Sequence, residues 1–332
     1  MKQNRTFHRL ILTGAILAGG CASNTAGPAT GTQQSVQQYV QGVQALKRGD
    51  TNAAVNQLEA AITSNPDLRM ARTVLGQIYR DRGDYTNAVR QYQALARLDP
   101  YTLSNHYYLG VSYQFLRQYA DAVRAYVAGL AIDPLDFKLN MNVGTVLLAT
   151  GDVDGAIKYL DKATQLDPKS AAAWSNLGVA LDARGSYVFA ETAYRRAIGL
   201  ETNAPSVVQN LANNLLMQQK VGEATYLWET IVKQRPTPFN RTRLAEAYTQ
   251  GGDLKAAEEI VNGVLQADSR FVPGLNAKAR MLIRQYELSG FTDETARTAG
   301  VATLRQSLGL NGQQPQITQL LRKYSQALPL SQ

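Results

Sequence analysis

Three asparagines, Asn142, Asn176 and Asn210, stand 34 residues apart in a chain of 332. A carboxamide both donates and accepts a hydrogen bond, so a row of them at a fixed interval suits pairing with the backbone of another polypeptide. Groups for covalent or metal chemistry are scarce. The chain has 2 histidines and 1 cysteine. His8 lies in an N-terminal leader-like stretch, and His106 stands alone between Asn105 and Tyr107, so neither a zinc centre nor a Cys–His pair is expected. Glu258 and Glu259 are adjacent, and adjacent residues on a helix point apart, which does not make a general acid–base dyad. The sequence contains no glycine-rich phosphate loop. These observations predict no catalytic residue, no metal, no cofactor and no small-molecule substrate.

A fixed interval requires a repeating scaffold, and the rest of the sequence supplies one. Pro66, Pro100, Pro134 and Pro168 share the same spacing of 34, and Pro236 falls two periods later, with Thr202 as the one break. A second column reads Gly42, Gly76, Gly110, Gly144, Gly178 and Ala212. A third reads Ala54, Ala88, Ala122, Ala156, Ala190, Ala224 and Ala257, and a fourth Leu58, Tyr92, Tyr126, Leu160, Tyr194, Trp228 and Val261. Small residues are needed where two helices cross closely, and large ones fill the space toward the next unit. Proline ends the second helix, because it lacks an N–H and clashes with the preceding turn. Gly49-Asp50, Gly83-Asp84 and Gly151-Asp152 mark the turn inside a unit.

These columns resemble the tetratricopeptide repeat, with Trp174, Leu177, Gly178, Leu181, Ala190, Tyr194 and Ala197 the fullest match within one unit. The resemblance implies an all-α, right-handed solenoid of about seven helix–turn–helix repeats over residues 35–270, closed by a helical cap over 271–332. Units begin at Ser35, Arg69, Leu103, Phe137, Ala171 and Pro205, and the seventh has slipped by one residue. In this family the sixth position of a unit faces a concave groove. The resemblance therefore places Asn142, Asn176 and Asn210 along that groove, with Lys138, Met141, Thr145, Asp182, Gln209, Asn213 and Met217 beside them. Tyr107, Tyr108, Val111 and Phe115 form a more apolar patch toward the N-terminal side. The row is similar to the asparagine ladder by which some tetratricopeptide proteins grip peptide backbones. Ordinary solvated surface is the plainer reading of the same residues.

The two ends follow other rules. Residues 1–20 combine a basic start, Lys2, Arg5 and Arg9, with a short apolar stretch from Leu10 to Gly20, the pattern of a secretory signal peptide. It ends at Cys21, and Leu17-Ala18-Gly19-Gly20-Cys21 resembles a bacterial lipobox, with Ala18 where families usually place leucine. The resemblance implies lipidation of Cys21; an ordinary signal peptide with an incidental cysteine is the alternative. Residues 22–34 read as a flexible tether, with a reach of roughly 20 Å. Ala22 after the cysteine, by resemblance to lipoproteins of two-membrane bacteria, implies the outer membrane, facing the periplasm. Beyond the array, helices are predicted over Val272 to Leu288, Thr292 or Asp293 to Leu308, and Gln316 to Ala327.

The formal net charge of +8 includes three from Lys2, Arg5 and Arg9, which leaves +5 for the remainder. The cations are scattered, which excludes a nucleic-acid track. The expectation is a membrane-anchored, non-catalytic scaffold that binds a protein or peptide segment. The start, the repeat number and the length resemble tight-adherence pilus-assembly lipoproteins and the pilotin-type lipoproteins of secretins, which implies a secretin or pilus component as partner. Two alternatives stay open: an envelope adaptor that recruits cell-wall hydrolases or proteases, and an enzyme with a site in 271–332.

Overall fold

The computed structural model describes residues 31–202 and 204–325. The leader, Cys21 and residues 22–30 of the expected tether lie outside that range. Among the described residues the chain forms 17 α-helices and no strand. It divides into two compact units, one through Leu98 and one from Asp99 onward.

The first unit holds α1 (Gly31–Lys47), α2 (Thr51–Ser64), α3 (Arg69–Asp81) and α4 (Tyr85–Leu98). Helix α1 begins inside the stretch expected as tether, so residues 31–34 are helical rather than extended. The second unit runs through α5 (Leu103–Phe115), α6 (Tyr119–Leu130), α7 (Phe137–Thr150), α8 (Val153–Leu166) and α9 (Ala171–Ala183). It continues with α10 (Tyr187–Leu200), α11 (Pro205–Met217), α12 (Val221–Gln234), α13 (Pro238–Gly251) and α14 (Leu254–Ala267). Beyond the array lie α15 (Val272–Leu288), α16 (Glu294–Leu310) and α17 (Pro315–Tyr324).

Seven hairpins, α1/α2 to α13/α14, correspond to the seven expected units. Each spaced proline lies in the connection that precedes an odd-numbered helix. Helix α15 has the predicted bounds, and α16 starts after Asp293, whose carboxylate accepts from the Ala296 N–H at 3.0 Å. The two pack as an eighth hairpin of longer helices, and α17 closes over them. Buried Ile317 and Tyr324 from α17 join Ile283 and Tyr286 from α15 and Leu304 from α16 in one apolar cluster. An end of this kind covers the apolar face that a last repeat would otherwise leave open.

The residue columns explain the hairpins. All seven alanines of the crossing column are 0% exposed, as are Leu58, Tyr126, Leu160 and Trp228 beside them. A Cβ at Gly178 would stand 2.6 Å from Cε1 of Tyr194, and one at Gly144 would stand 2.6 Å from Cγ of Leu160. Only glycine lets these helices approach so closely. The turns obey cap chemistry. Gly151 closes α7 with φ 88°, and Asp152 then caps α8 by accepting from the Gly155 N–H at 3.0 Å. Within the seven hairpins two turns reach the same left-handed conformation without glycine, at Arg117 (φ 58°) and Gln219 (φ 62°), and Phe291 (φ 65°) does so beside Gly290 between α15 and α16. In the second unit the core is a string of clusters passed from hairpin to hairpin.

Candidate peptide-binding face

In the second unit the odd-numbered helices form a layer of their own: α7 touches α9, α9 touches α11, and α13 touches α15. The sixth position of each unit lies on the partly exposed side of that layer. Asn142, Asn176 and Asn210 are all half-buried, on α7, α9 and α11. Asn176 Nδ2 reaches Thr145 Oγ1 of the preceding odd helix at 3.4 Å, so two predicted positions meet across the α7–α9 joint. Among the described residues, Asn142, Asn210 and half-buried Asn213 make no side-chain hydrogen bond within the chain. Lys138 is exposed at the start of α7.

Other predicted positions serve the fold. Gln209 Nε2 donates to Asn240 Oδ1 at 3.0 Å and joins α11 to α13. Asp182 on α9 accepts from the Tyr194 hydroxyl at 2.8 Å and from Asn214 Nδ2 on α11. Burial raises the Asp182 carboxyl above its ordinary value, against the opposing effect of those hydrogen bonds. Tyr107 packs partly into the core under α5, 6.4 Å from Tyr126 and edge-on to Tyr108 at 5.1 Å. Tyr108 is half-buried, and Phe115, 62% exposed, is the open member of the aromatic patch.

The one histidine among the described residues is also a structural group. His106 is buried, with Nε2 2.8 Å from the carbonyl oxygen of Pro100. Among the described residues no group of His, Cys, Asp and Glu is arranged to hold a metal ion. Nor is any described helix long and apolar enough to cross a membrane.

One ionic cluster was not legible in the sequence. Glu191 on α10 accepts from Arg195 Nε at 2.8 Å, from Gln218 Nε2 at 2.8 Å and from Lys220 Nζ at 2.7 Å. Burial alone would raise its carboxyl, but the hydrogen bonds from Lys220, Arg195 and Gln218 outweigh it and hold the pKa at about 2. Arg195 also reaches Glu223 on α12 at 2.8 Å. The cluster ties α10 to the following hairpin at the joint where Thr202 replaces the spaced proline. The only sequence signal was that replacement.

Paired helices of this length, with glycine and alanine at each crossing and a spaced proline between hairpins, define a tetratricopeptide-repeat protein. The chain belongs to the family described as the Cilia and flagella-associated protein 70 C-terminal domain, which matches residues 12–277. Among solved structures, it is similar to a tetratricopeptide repeat protein from Parabacteroides merdae ATCC 43184, at 15% identity and TM-score 0.53, over 89% of this chain and 100% of that one. It is similar at 15% identity and TM-score 0.54 to the APC/C hetero-tetramer Cut9-Hcn1, over 85% of this chain and 55% of that one. A shorter likeness, to MamA protein, has 20% identity and TM-score 0.48, over 51% of this chain and 92% of that one. The first two likenesses show the fold. No curated protein matches the chain.

Proposed function

We propose that this protein is a non-catalytic scaffold that holds an extended segment of a partner protein against the odd-numbered helices α7, α9 and α11. The observation that carries the reading is the row of Asn142, Asn176 and Asn210 on one partly exposed face, two of them with unused amides. Regularly placed carboxamides pair with a backbone of any sequence, and Lys138 and Asn213 add polar contacts at the edge of the row. Cys21, at the end of the leader, anchors the chain by lipid to the outer membrane, with the helices in the periplasm. A pilus or secretion apparatus, with a secretin or pilus component as partner, is the setting that its lipoprotein-like start and repeat number favour.

The test is a photo-crosslinking residue at position 176 in cells that contain the natural partner. One discrete adduct is expected, and it should vanish when Asn142 and Asn210 are both changed to Ala. A residue placed at exposed Val188 serves as the control. Equal adducts at both positions, or an adduct indifferent to the two alanines, would remove this face from the account. Separately, Cys21→Ser should move the protein from the membrane to the soluble periplasmic fraction, and unchanged retention would remove the anchor.

A further inference from the structure

A recess lies away from the asparagine row, lined by residues of α13, α15 and the closing helix α17. Its volume is about 490 Å³. A smaller hollow of about 280 Å³ continues from it and shares Arg280 and Gln316. The first is large enough for a short stretch of chain and too small for a folded domain.

The walls are fixed from within. Asn276 on α15 donates to Gln314 Oε1 at 2.7 Å and accepts from the Ser307 hydroxyl at 2.6 Å. Gln314 in turn donates to the Ser307 hydroxyl at 3.1 Å and to the Asn311 carbonyl at 2.8 Å. These amides are occupied, and they pin the start of α17 to α15 and α16. The floor between them is apolar: Phe239, Pro273, Pro315 and buried Ile317.

The charges in the recess are unbalanced. Arg243 has its own acid, Glu246, at 2.7 Å, and its guanidinium lies 5.2 Å over the Phe239 ring. Arg280 is half-buried and lines both hollows, and among the described residues it has no ion pair or hydrogen bond. Lys323 lines the second hollow beyond it. Glu246 is the one acid that lines either hollow, and Arg243 already uses it. A half-desolvated guanidinium with five donors and no acceptor favours an anionic visitor.

We infer that this recess is a binding site for an acidic, apolar-containing peptide segment of a partner protein, with Arg280 as the carboxylate-binding residue. Arg243 lines the first hollow, Lys323 the second and Arg280 both, so the cations are spread over two hollows and three helices, which suits a peptide with several acids better than a single phosphate. The apolar floor suits a leucine or phenylalanine placed between the acids. The site is distinct from the asparagine row and does not rest on it.

The test is a fluorescence anisotropy titration of the purified full chain with a labelled, amidated peptide, Gly-Glu-Asp-Phe-Glu-Asp-Leu-Gly. Binding should weaken as salt rises, because the attraction between partly exposed charges is screened. Arg280→Gln should weaken it at least tenfold, and Lys323→Gln should weaken it less. The Asn142, Asn176 and Asn210 triple alanine variant should bind as the unaltered chain does, which separates this site from the proposed face. Circular dichroism checks that each variant is folded; should Arg280→Gln unfold, the salt series and Lys323→Gln decide. The inference is overturned by no binding up to about 1 mM peptide. Equal binding of the Gln/Asn version of the peptide, or an unchanged affinity in folded Arg280→Gln, would overturn it too. Arg280-dependent binding to phosphatidylglycerol vesicles without peptide binding would assign the recess to lipid instead.

Discussion

Trp174 donates its indole N–H to the carbonyl of Pro168 at 3.0 Å, six residues earlier in the chain. The same contact recurs with other donors at the fourth position of the second, third and fourth units. Arg72 Nε reaches the Pro66 carbonyl at 2.6 Å, His106 Nε2 the Pro100 carbonyl at 2.8 Å, and Asn140 Nδ2 the Pro134 carbonyl at 3.2 Å. A carbonyl oxygen only accepts, so His106 Nε2 is the donor in this contact. Where Thr202 stands in place of proline, the fourth position is Val208, which donates nothing. Four chemically different side chains therefore perform one task, to hold the strap between hairpins against the next helix.

Because the task is a single donated hydrogen bond, the donors should be exchangeable. His106→Asn should melt within about 1 °C of the unaltered chain, since Asn140 makes the contact in the next unit. His106→Leu should lose about 1 kcal/mol, or roughly 2–4 °C. Trp174→Phe, which keeps the ring and deletes the N–H, should cost about 0.5–1 kcal/mol. Thermal melts followed by circular dichroism read all three, and equal melting of the Asn and Leu variants would deny the latch.

The crossing columns predict steric cost. Gly178→Ala drives a Cβ into Tyr194, whose hydroxyl is anchored on Asp182. Ala190→Leu overfills a site that is 0% exposed. Each should destabilise by about 1–3 kcal/mol in urea unfolding. Free accommodation of both would mean that the helices do not cross at these residues.

The opposite sign is expected at two turns. Arg117 and Gln219 hold left-handed backbone at φ 58° and 62°. Glycine adopts that conformation without the Cβ penalty. Arg117→Gly and Gln219→Gly should each stabilise by about 0.5–1 kcal/mol, less whatever the more flexible unfolded chain gains. A fall in melting temperature for both would show that the side chains outweigh the strain.

Glu191 makes stability depend on pH. Its pKa is about 2 in the folded protein, against an ordinary carboxylate value of 4.5. A depressed folded pKa contributes stability above the unfolded value, and the contribution is lost as pH falls through the folded one. The window is therefore about pH 5 down to pH 2. Glu191→Gln should be less stable than the unaltered chain by about 1–2 kcal/mol at pH 7, a figure reduced for the half-exposed Lys220 and Arg195. The difference should vanish near pH 2. A gap that stays constant across the window would show that the carboxylate charge is not the cause.

Legibility differed between the fold and the face. The hairpins could be read because one residue type recurs wherever backbones approach, as at Gly144 and Gly178, and one recurs wherever a helix must stop, as at Pro134 and Pro168. Those constraints act within a single period. The spacing of the asparagines, one to each of α7, α9 and α11, was legible for the same reason. The role of Asp182 was not: it belongs to a groove column, yet its partners Tyr194 and Asn214 come from another helix and another unit. Glu191 with Lys220, and Arg280 with the α17 wall, depend on pairings 29 or more residues apart that follow no column. Helix α1 began early because a stretch rich in Gln and Thr is as compatible with a helix as with a tether.

The chain of small clusters has a kinetic consequence. In the second unit each helix packs on helices one or two places along, so no buried surface there waits for a distant segment. Closing any joint costs the loop entropy of about one period, however long the whole chain is. Assembly can then keep pace with the chain as it is made, each hairpin of the second unit docking on the one before it. Gaining or losing a unit changes the length of the protein and leaves the closure problem at every remaining joint the same.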